Sequence, residues 1–220
     1  MPHDLIIQHL GTRPYADVFA AMQRFTEQRD AGTVDRLWLV EHPPVFTQGR
    51  NGKAEHILSD SGIPIIETDR GGQITYHGPG QLVMYCLIDL RRQQLGVRHL
   101  VTALEQSVLR LLAEYGIEAT TRDDAPGVYV ANDKIASLGL RIRRGASYHG
   151  LSLNVDMDLA PFSVIRPCGL QGIGVAQLRE LGVSEPISQI TRQLCAQFCA
   201  QLGYNAPLNQ QCEASALDEI

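Results

Sequence analysis

Residues 81–90 read QLVMYCLIDL, and the positions from Leu82 to Ile88 are apolar without a break. A strand with one wet face alternates polar and apolar side chains, so an unbroken run of this kind marks a strand covered on both faces. The segment therefore asks for a sheet with packing layers on each side. The rest of the chain must supply further strands and the helices that cover them.

Those elements are legible to either side. The stretches LIIQHL (5–10) and RLWLVEH (36–42) read as strands, the second ended by Pro43 and Pro44. Between them Tyr15, Val18, Phe19, Met22 and Phe25 recur at helical offsets, predicting a helix over 14–28 started by Thr12 and Pro14. A second helix carries Val101, Leu104, Val108, Leu111, Leu112 and Tyr115 and stops at Gly116. GVYVANDKIASLGLRI (127–142) and ASYHGLSLNVD (146–156) read as three strands, with tight turns at residues 131–133 and at Arg144 and Gly145. A short helical piece is expected around Val175 to Leu181. A longer helix follows from Ser184, with the stripe Ile187, Ile190, Leu194, Phe198 and Leu202. The pattern predicts an α+β fold, a mixed sheet flanked by helices, rather than strict βαβ alternation. One domain is expected over residues 1–208, with a polar, flexible tail over 209–220.

Composition narrows the function classes. The 220 residues are 44% hydrophobic and 20% charged, which suits a globular chain with one good core. A net charge of -5 argues against nucleic acid as the main partner, because such binders carry a basic face. MPHDLIIQHL lacks the cationic segment and long apolar run of a signal peptide, and no stretch approaches a membrane span. A soluble, cytoplasmic protein without membrane attachment is expected. Cys86, Cys168, Cys195, Cys199 and Cys212 are odd in number and irregular in spacing, unlike a disulfide framework. Cys86, Cys195 and Cys199 read as core residues. No metal site is expected, since CxxC pairs and His-rich clusters are missing. GxxxxGK[ST] is absent too.

Four stretches can carry chemistry. DRGGQITYHGPGQ (69–81) packs Arg70, Gln73, Thr75, Tyr76 and His77 between glycine clusters and runs straight into the buried strand, as a ligand wall would; paired hairpin turns are the plainer reading. In NDKIASLGLRI, Lys134 precedes the small residues Ala136, Ser137 and Gly139, although a lone lysine there also fits a solvated turn. Arg141, Arg143 and Arg144 cluster at a hairpin tip, either as a solubilising device or as a dock for an acidic partner, with His149 just beyond. Finally, FSVIRPCGLQG (162–172) sets Cys168 on a turn stiffened by Pro161 and Pro167. An unperturbed thiol is only about 3% ionised at pH 7, and lowering its pKa by about two units ionises roughly three-quarters. Lys134, Arg166, His77 and His149 are all candidate activators on the sequence alone.

Taken in order, RGGQITYHGPGQLVMYCLIDL, DAPGVYV, KIASLGLRIRRGASYHGLSLNV and PCG resemble the octanoyltransferases of lipoate biosynthesis, from Leu37 to about Leu181. The resemblance implies the fold of the biotin and lipoate protein ligases. It implies transfer of an octanoyl group from octanoyl-acyl carrier protein to a lysine of lipoyl domains. Those acceptors belong to 2-oxoacid dehydrogenase acyltransferase subunits and the glycine-cleavage H protein. No cofactor is implied. The family's nucleophile falls on Cys168 and its activating lysine on Lys134. Its acyl-substrate contacts fall on Arg70, Gly71, Gly72, Gln73, Ile74, Thr75, Tyr76 and His77, on Ser137, Leu138 and Gly139, and on Gly150, Leu151 and Ser152. An ATP-dependent ligase would share the fold and the lysine without needing PCG. A module that only binds carrier protein would need neither.

Overall fold

The structure, a computed structural model, describes residues 4–59, 61–165 and 174–205 and the backbone of 208–211. The segment that opened the reading is strand β6 (Gln81–Leu87), and every residue of it is buried. It lies inside an eight-stranded sheet. Its companions are β1 (Leu5–Thr12), β2 (Asp35–Glu41), β7 (Thr120–Thr121), β8 (Gly127–Val130), β9 (Asp133–Arg143), β10 (Ala146–Asn154) and β11 (Leu208–Gln211). The order is β11-β1-β2-β6-β10-β9-β8-β7, with β1 parallel to both β2 and β11 and the remaining pairs antiparallel.

Both faces of β6 are covered, as its unbroken apolar run requires. Met84, Cys86 and Ile88 join the core under α2 (Val97–Glu114) and α3 (Ile187–Leu202). Val83, Tyr85 and Leu87 point to the opposite face and pack with Val18, Met22 and Phe25 of α1 (Tyr15–Gln28). Neighbouring β2 divides the same way, with Leu37 and Leu39 on one side and Trp38 and Val40 on the other. The alternation is the period-two geometry of a strand, read here on two dry faces.

Beside the α1 face sits a three-stranded sheet in the order β4-β3-β5, made of β3 (Val45–Gln48), β4 (Ile65–Glu67) and β5 (Ile74–His77). It has its own small core of Phe46, Ile74, Tyr76, Met157, Phe162 and Ile165.

The predicted elements are present, with four differences. Thr12 ends β1 and caps no helix; α1 starts behind Pro14 without any side-chain cap. α3 starts at Ile187 rather than Ser184, because Pro186 is extended and ends the helical geometry there. Between Val175 and Leu181 only Arg179–Leu181 form a 3₁₀ turn, since Val175 is drawn into a parallel bridge with Lys134. Leu208–Gln211, which the sequence reading divides between domain and tail, add strand β11 to the edge of β1. Cys86, Cys195 and Cys199 are buried, as expected.

Candidate active site

A cleft of about 570 Å³ opens between the α1 face of the large sheet and the loop that leads into β5. Its floor follows from strand register. Val83, Ser152 and Ser137 stand opposite one another across β6, β10 and β9, and so do Tyr85, Gly150 and Gly139. All six line the cleft.

Lys134 lines it as well, which simple alternation would forbid. It is three residues from Ser137, so a regular strand would turn it to the other face. A bulge resolves this: Val128 pairs with Ala136 but Tyr129 pairs with Lys134, so β9 carries one extra residue. Ile135 and Ala136 both enter the core under α2, and Lys134 is thereby turned into the cleft.

The lysine is not the solvated turn residue of the plainer reading, being only 4% exposed. Its ammonium donates to the Pro126 carbonyl at 3.3 Å and lies 5.1 Å over the Tyr129 ring. Gly127 makes the approach possible, since a Cβ there would stand 3.0 Å from the lysine Cε and 3.2 Å from Nζ. The Lys134 main chain is clamped too. Its N–H donates to the Gly174 carbonyl, and its own carbonyl accepts from the Ala176 N–H.

The loop over the cleft is built around Arg70. Its Nη2 donates to the Thr47 carbonyl at 2.6 Å and to Thr47 Oγ1 at 2.8 Å, and its Nη1 donates to the Gly71 carbonyl. The Gly71 N–H donates to the Leu140 carbonyl and so pins the loop to β9. Gly139 permits that contact, because a Cβ there would meet Arg70 Cδ at 3.0 Å and the Gly71 carbonyl at 3.1 Å. Its small size thus seats the loop.

Of the loop residues predicted to contact substrate, Arg70, Gly72, Gln73, Ile74, Thr75 and His77 line the cleft. Gly71 holds the loop instead, and Tyr76 turns away to pack between Phe46 and Phe162. Ser137, Leu138, Gly139, Gly150, Leu151 and Ser152 all line it.

Four further lining residues escaped the sequence-based list of contacts: Tyr15, Val83, Tyr85 and His149. Tyr15, Val83 and Tyr85 follow the apolar spacing of core residues, which gives no other signal. The sequence offers His149 either as a satisfied structural histidine or as an activator of the thiol. Their polar atoms are mostly turned away. Tyr15 donates to Thr68 Oγ1, and Tyr85 donates to Nε2 of His42. Burial pushes His42 down to about 4, so it is neutral and its Nδ1–H donates to the Arg13 carbonyl. His149, at φ 59, uses Nε2 on Asp69 Oδ1 at 2.9 Å. Burial opposes ionisation of Asp69, yet hydrogen bonds from His149 and Tyr148 prevail and hold its carboxyl down to about 2.

His77 is neutral for the same reason as His42, pushed down to about 3 by burial. Its Nδ1 faces Gln81 Oε1, which can only accept, so Nδ1 carries the proton and Nε2 accepts from the Thr47 hydroxyl. At the hairpin tip, Arg143 pairs with the Glu27 carboxylate and Arg144 donates to the Glu27 carbonyl, so both are tied to the end of α1. Cys168 lies outside the described residues, three positions after Ile165 and six before Gly174.

Comparison with known proteins agrees with this geometry. The lipoyl protein ligase A/B catalytic domain family matches residues 14–199. An octanoyltransferase of Cellvibrio japonicus is 60% identical over 201 residues, covering 91% of this chain and 94% of the relative. Among solved structures, the bi-partite lipoate protein ligase of Thermoplasma acidophilum superposes with a TM-score of 0.77 at 17% identity, covering 99% of this chain and 91% of its own. The biotin protein ligase of Aquifex aeolicus gives 0.53 at 14% identity, covering 92% and 70%. Those two likenesses establish the fold, a mixed sheet of the biotin and lipoate ligase type. The chain belongs to the lipoyl protein ligase A/B catalytic domain family and, within it, to the octanoyltransferases, which are acyltransferases.

Proposed function

We propose that this chain carries an octanoyl group from octanoyl-acyl carrier protein to a specific lysine of lipoyl domains, through a thioester on Cys168, in the cytoplasm. The acceptors are the acyltransferase subunits of 2-oxoacid dehydrogenases and the glycine-cleavage H protein. The observation that carries the reading is Lys134, buried and bulged into a cleft lined by the loop and strand residues that match the family's acyl contacts.

The chemistry runs in two balanced halves. Lys134, in its neutral form, takes the proton of the Cys168 thiol. The thiolate attacks the octanoyl carbonyl, and the tetrahedral intermediate collapses by expelling the carrier's thiolate, which recovers that proton from Lys134. One thioester is exchanged for another, so no ATP is consumed. In the second half the acceptor amine attacks the acyl-enzyme, Cys168 leaves as thiolate, and that thiolate takes up the proton shed by the new amide nitrogen. The amine is protonated in solution, with a reference pKa of about 10.4, so Lys134 serves as base here too. The chain supports the pairing, because it returns to Lys134 at Gly174, within about 20 Å of contour from Cys168. Apolar burial holds the octanoyl chain at about 0.8 kcal/mol per methylene.

Intact-protein mass spectrometry tests this. After incubation with octanoyl-carrier protein without ATP, the wild type gains an octanoyl adduct that a lipoyl domain discharges, and Cys168→Ser gains none. Modification of the lipoyl domain only when ATP and free fatty acid are present would instead make the chain a ligase.

A further inference from the structure

A line of buried hydrogen bonds runs from the substrate loop to the segment that clamps Lys134, and every donor in it points the same way. Arg70 Nη2 donates to Thr47 Oγ1, the Thr47 hydroxyl to His77 Nε2, and His77 Nδ1 to Gln81 Oε1. Gln81 Nε2 then donates to Asn154 Oδ1 at 2.9 Å, and Asn154 Nδ2 donates to the Ala176 carbonyl at 3.0 Å. Ala176 donates to the Lys134 carbonyl at 3.1 Å, closing the line on the lysine.

Gln81 and Asn154 are the pivot. They face each other directly across β6 and β10 and are 1% and 5% exposed, so water cannot replace their partners. The Ala176 carbonyl can only accept, so Asn154 Nδ2 donates to it and Asn154 Oδ1 faces Gln81 Nε2. That nitrogen also donates to the Tyr76 carbonyl at 3.2 Å, and Gln81 Oε1 is left to accept from His77. Asn154 grips the clamping segment twice, since its own carbonyl also accepts from the Leu178 N–H. Buried amide networks that are fully satisfied hold one arrangement, because any other leaves an unpaired dipole at low dielectric.

We propose that Asn154, oriented by Gln81, is a positioning residue for the transfer: it fixes residues 174–178 against β9 and so holds Lys134 at the angle its proton transfers need. The proposal rests on the reading of Lys134 given above. Neither amide lines the cleft, so neither acts on substrate.

Asn154→Asp is nearly isosteric, and its ionised carboxylate cannot donate to the Ala176 carbonyl. At pH 7.5 its kcat is expected to fall about 10- to 100-fold, with KM for octanoyl-carrier protein within twofold of wild type. Activity relative to wild type should recover in part near pH 5, where the protonated acid donates again. Hydrogen exchange gives a readout without turnover: in Asn154→Ala the Lys134 and Ala176 amides should exchange at least tenfold faster, while the β6–β10 ladder stays protected. If Asn154→Ala does not fold, exchange is read in Asn154→Asp, which keeps the shape and loses the donor to the Ala176 carbonyl. Unchanged exchange at both amides overturns the proposal, as does a kcat within twofold of wild type across the pH range. Faster exchange in a background where Lys134→Ala keeps full turnover supports the clamp and overturns the reading of Lys134.

Discussion

Gly139 and Gly150 stand directly opposite each other on β9 and β10, in the middle of the cleft floor, yet their missing side chains do different work. A Cβ on Gly139 would meet the substrate loop at Arg70 and Gly71, whereas one on Gly150 would fall 2.0 Å from the Met84 carbonyl of the neighbouring strand. One glycine seats a loop and the other lets two strands pair. Gly139→Ala should therefore fold with a loss of about 1–2 kcal/mol and raise KM for the octanoyl donor several-fold as the loop lifts. Denaturant unfolding and steady-state kinetics read the two effects separately. A larger effect on kcat than on KM would place the glycine's role elsewhere.

Lys134 is buried, with its ammonium on the Pro126 carbonyl and over the Tyr129 ring, and the Glu105 carboxylate lies near enough to interact with it. Lys134→Met keeps the length of the side chain and removes the charge. Turnover is expected to fall at least about a thousandfold, read by steady-state kinetics beside a thermal melt that shows the variant folded. Gly127→Ala sets a Cβ 2.7 Å from the Ala136 carbonyl at φ 150 and crowds Cε and Nζ, so it should lower stability as well as slow turnover by about tenfold, read by denaturant unfolding and steady-state kinetics.

His42 and His77 make stability fall with acid. Their folded pKa values, about 4 and about 3, lie below the unfolded value of 6.5, so between these limits the unfolded chain binds more protons. Stability is full above about pH 6.5 and declines as pH drops toward 4, at up to about 1.4 kcal/mol per pH unit for each histidine. Asp69 adds loss only in a lower window, from its ordinary 3.8 down to about 2. Melting temperatures measured from pH 7.5 to 4.5 should show the decline, and His77→Gln should flatten it.

Arg70 places two donors of one nitrogen on the Thr47 carbonyl and hydroxyl and a second nitrogen on Gly71. A lysine cannot reproduce that fork. Arg70→Lys is expected to lower stability by about 1.5–3 kcal/mol and to weaken octanoyl binding, read by calorimetry with a non-hydrolysable octanoyl thioester analogue. Retained affinity would mean that the loop is held by Gly71 and Asp69 alone.

The unbroken run in β6 disclosed a sheet covered on both faces, and helical spacing disclosed α1, α2 and α3, because burial and period are properties of the chain taken a few residues at a time. The motif around Lys134 and the loop from Arg70 to His77 were legible as a resemblance, but which of their side chains face the cleft was not. Tyr76 leaves it and Lys134 enters it through register and a bulge, and a bulge depends on what the partner strand offers. Tyr15, Val83 and Tyr85 were hidden because a lining residue and a core residue follow the same apolar pattern. The sequence by itself determined the layers and the residue types that chemistry needs. Only the tertiary structure decided which of them meet, since Gln81 and Asn154, far apart in the chain, become partners when two strands settle into one register and leave each amide a single way to be satisfied.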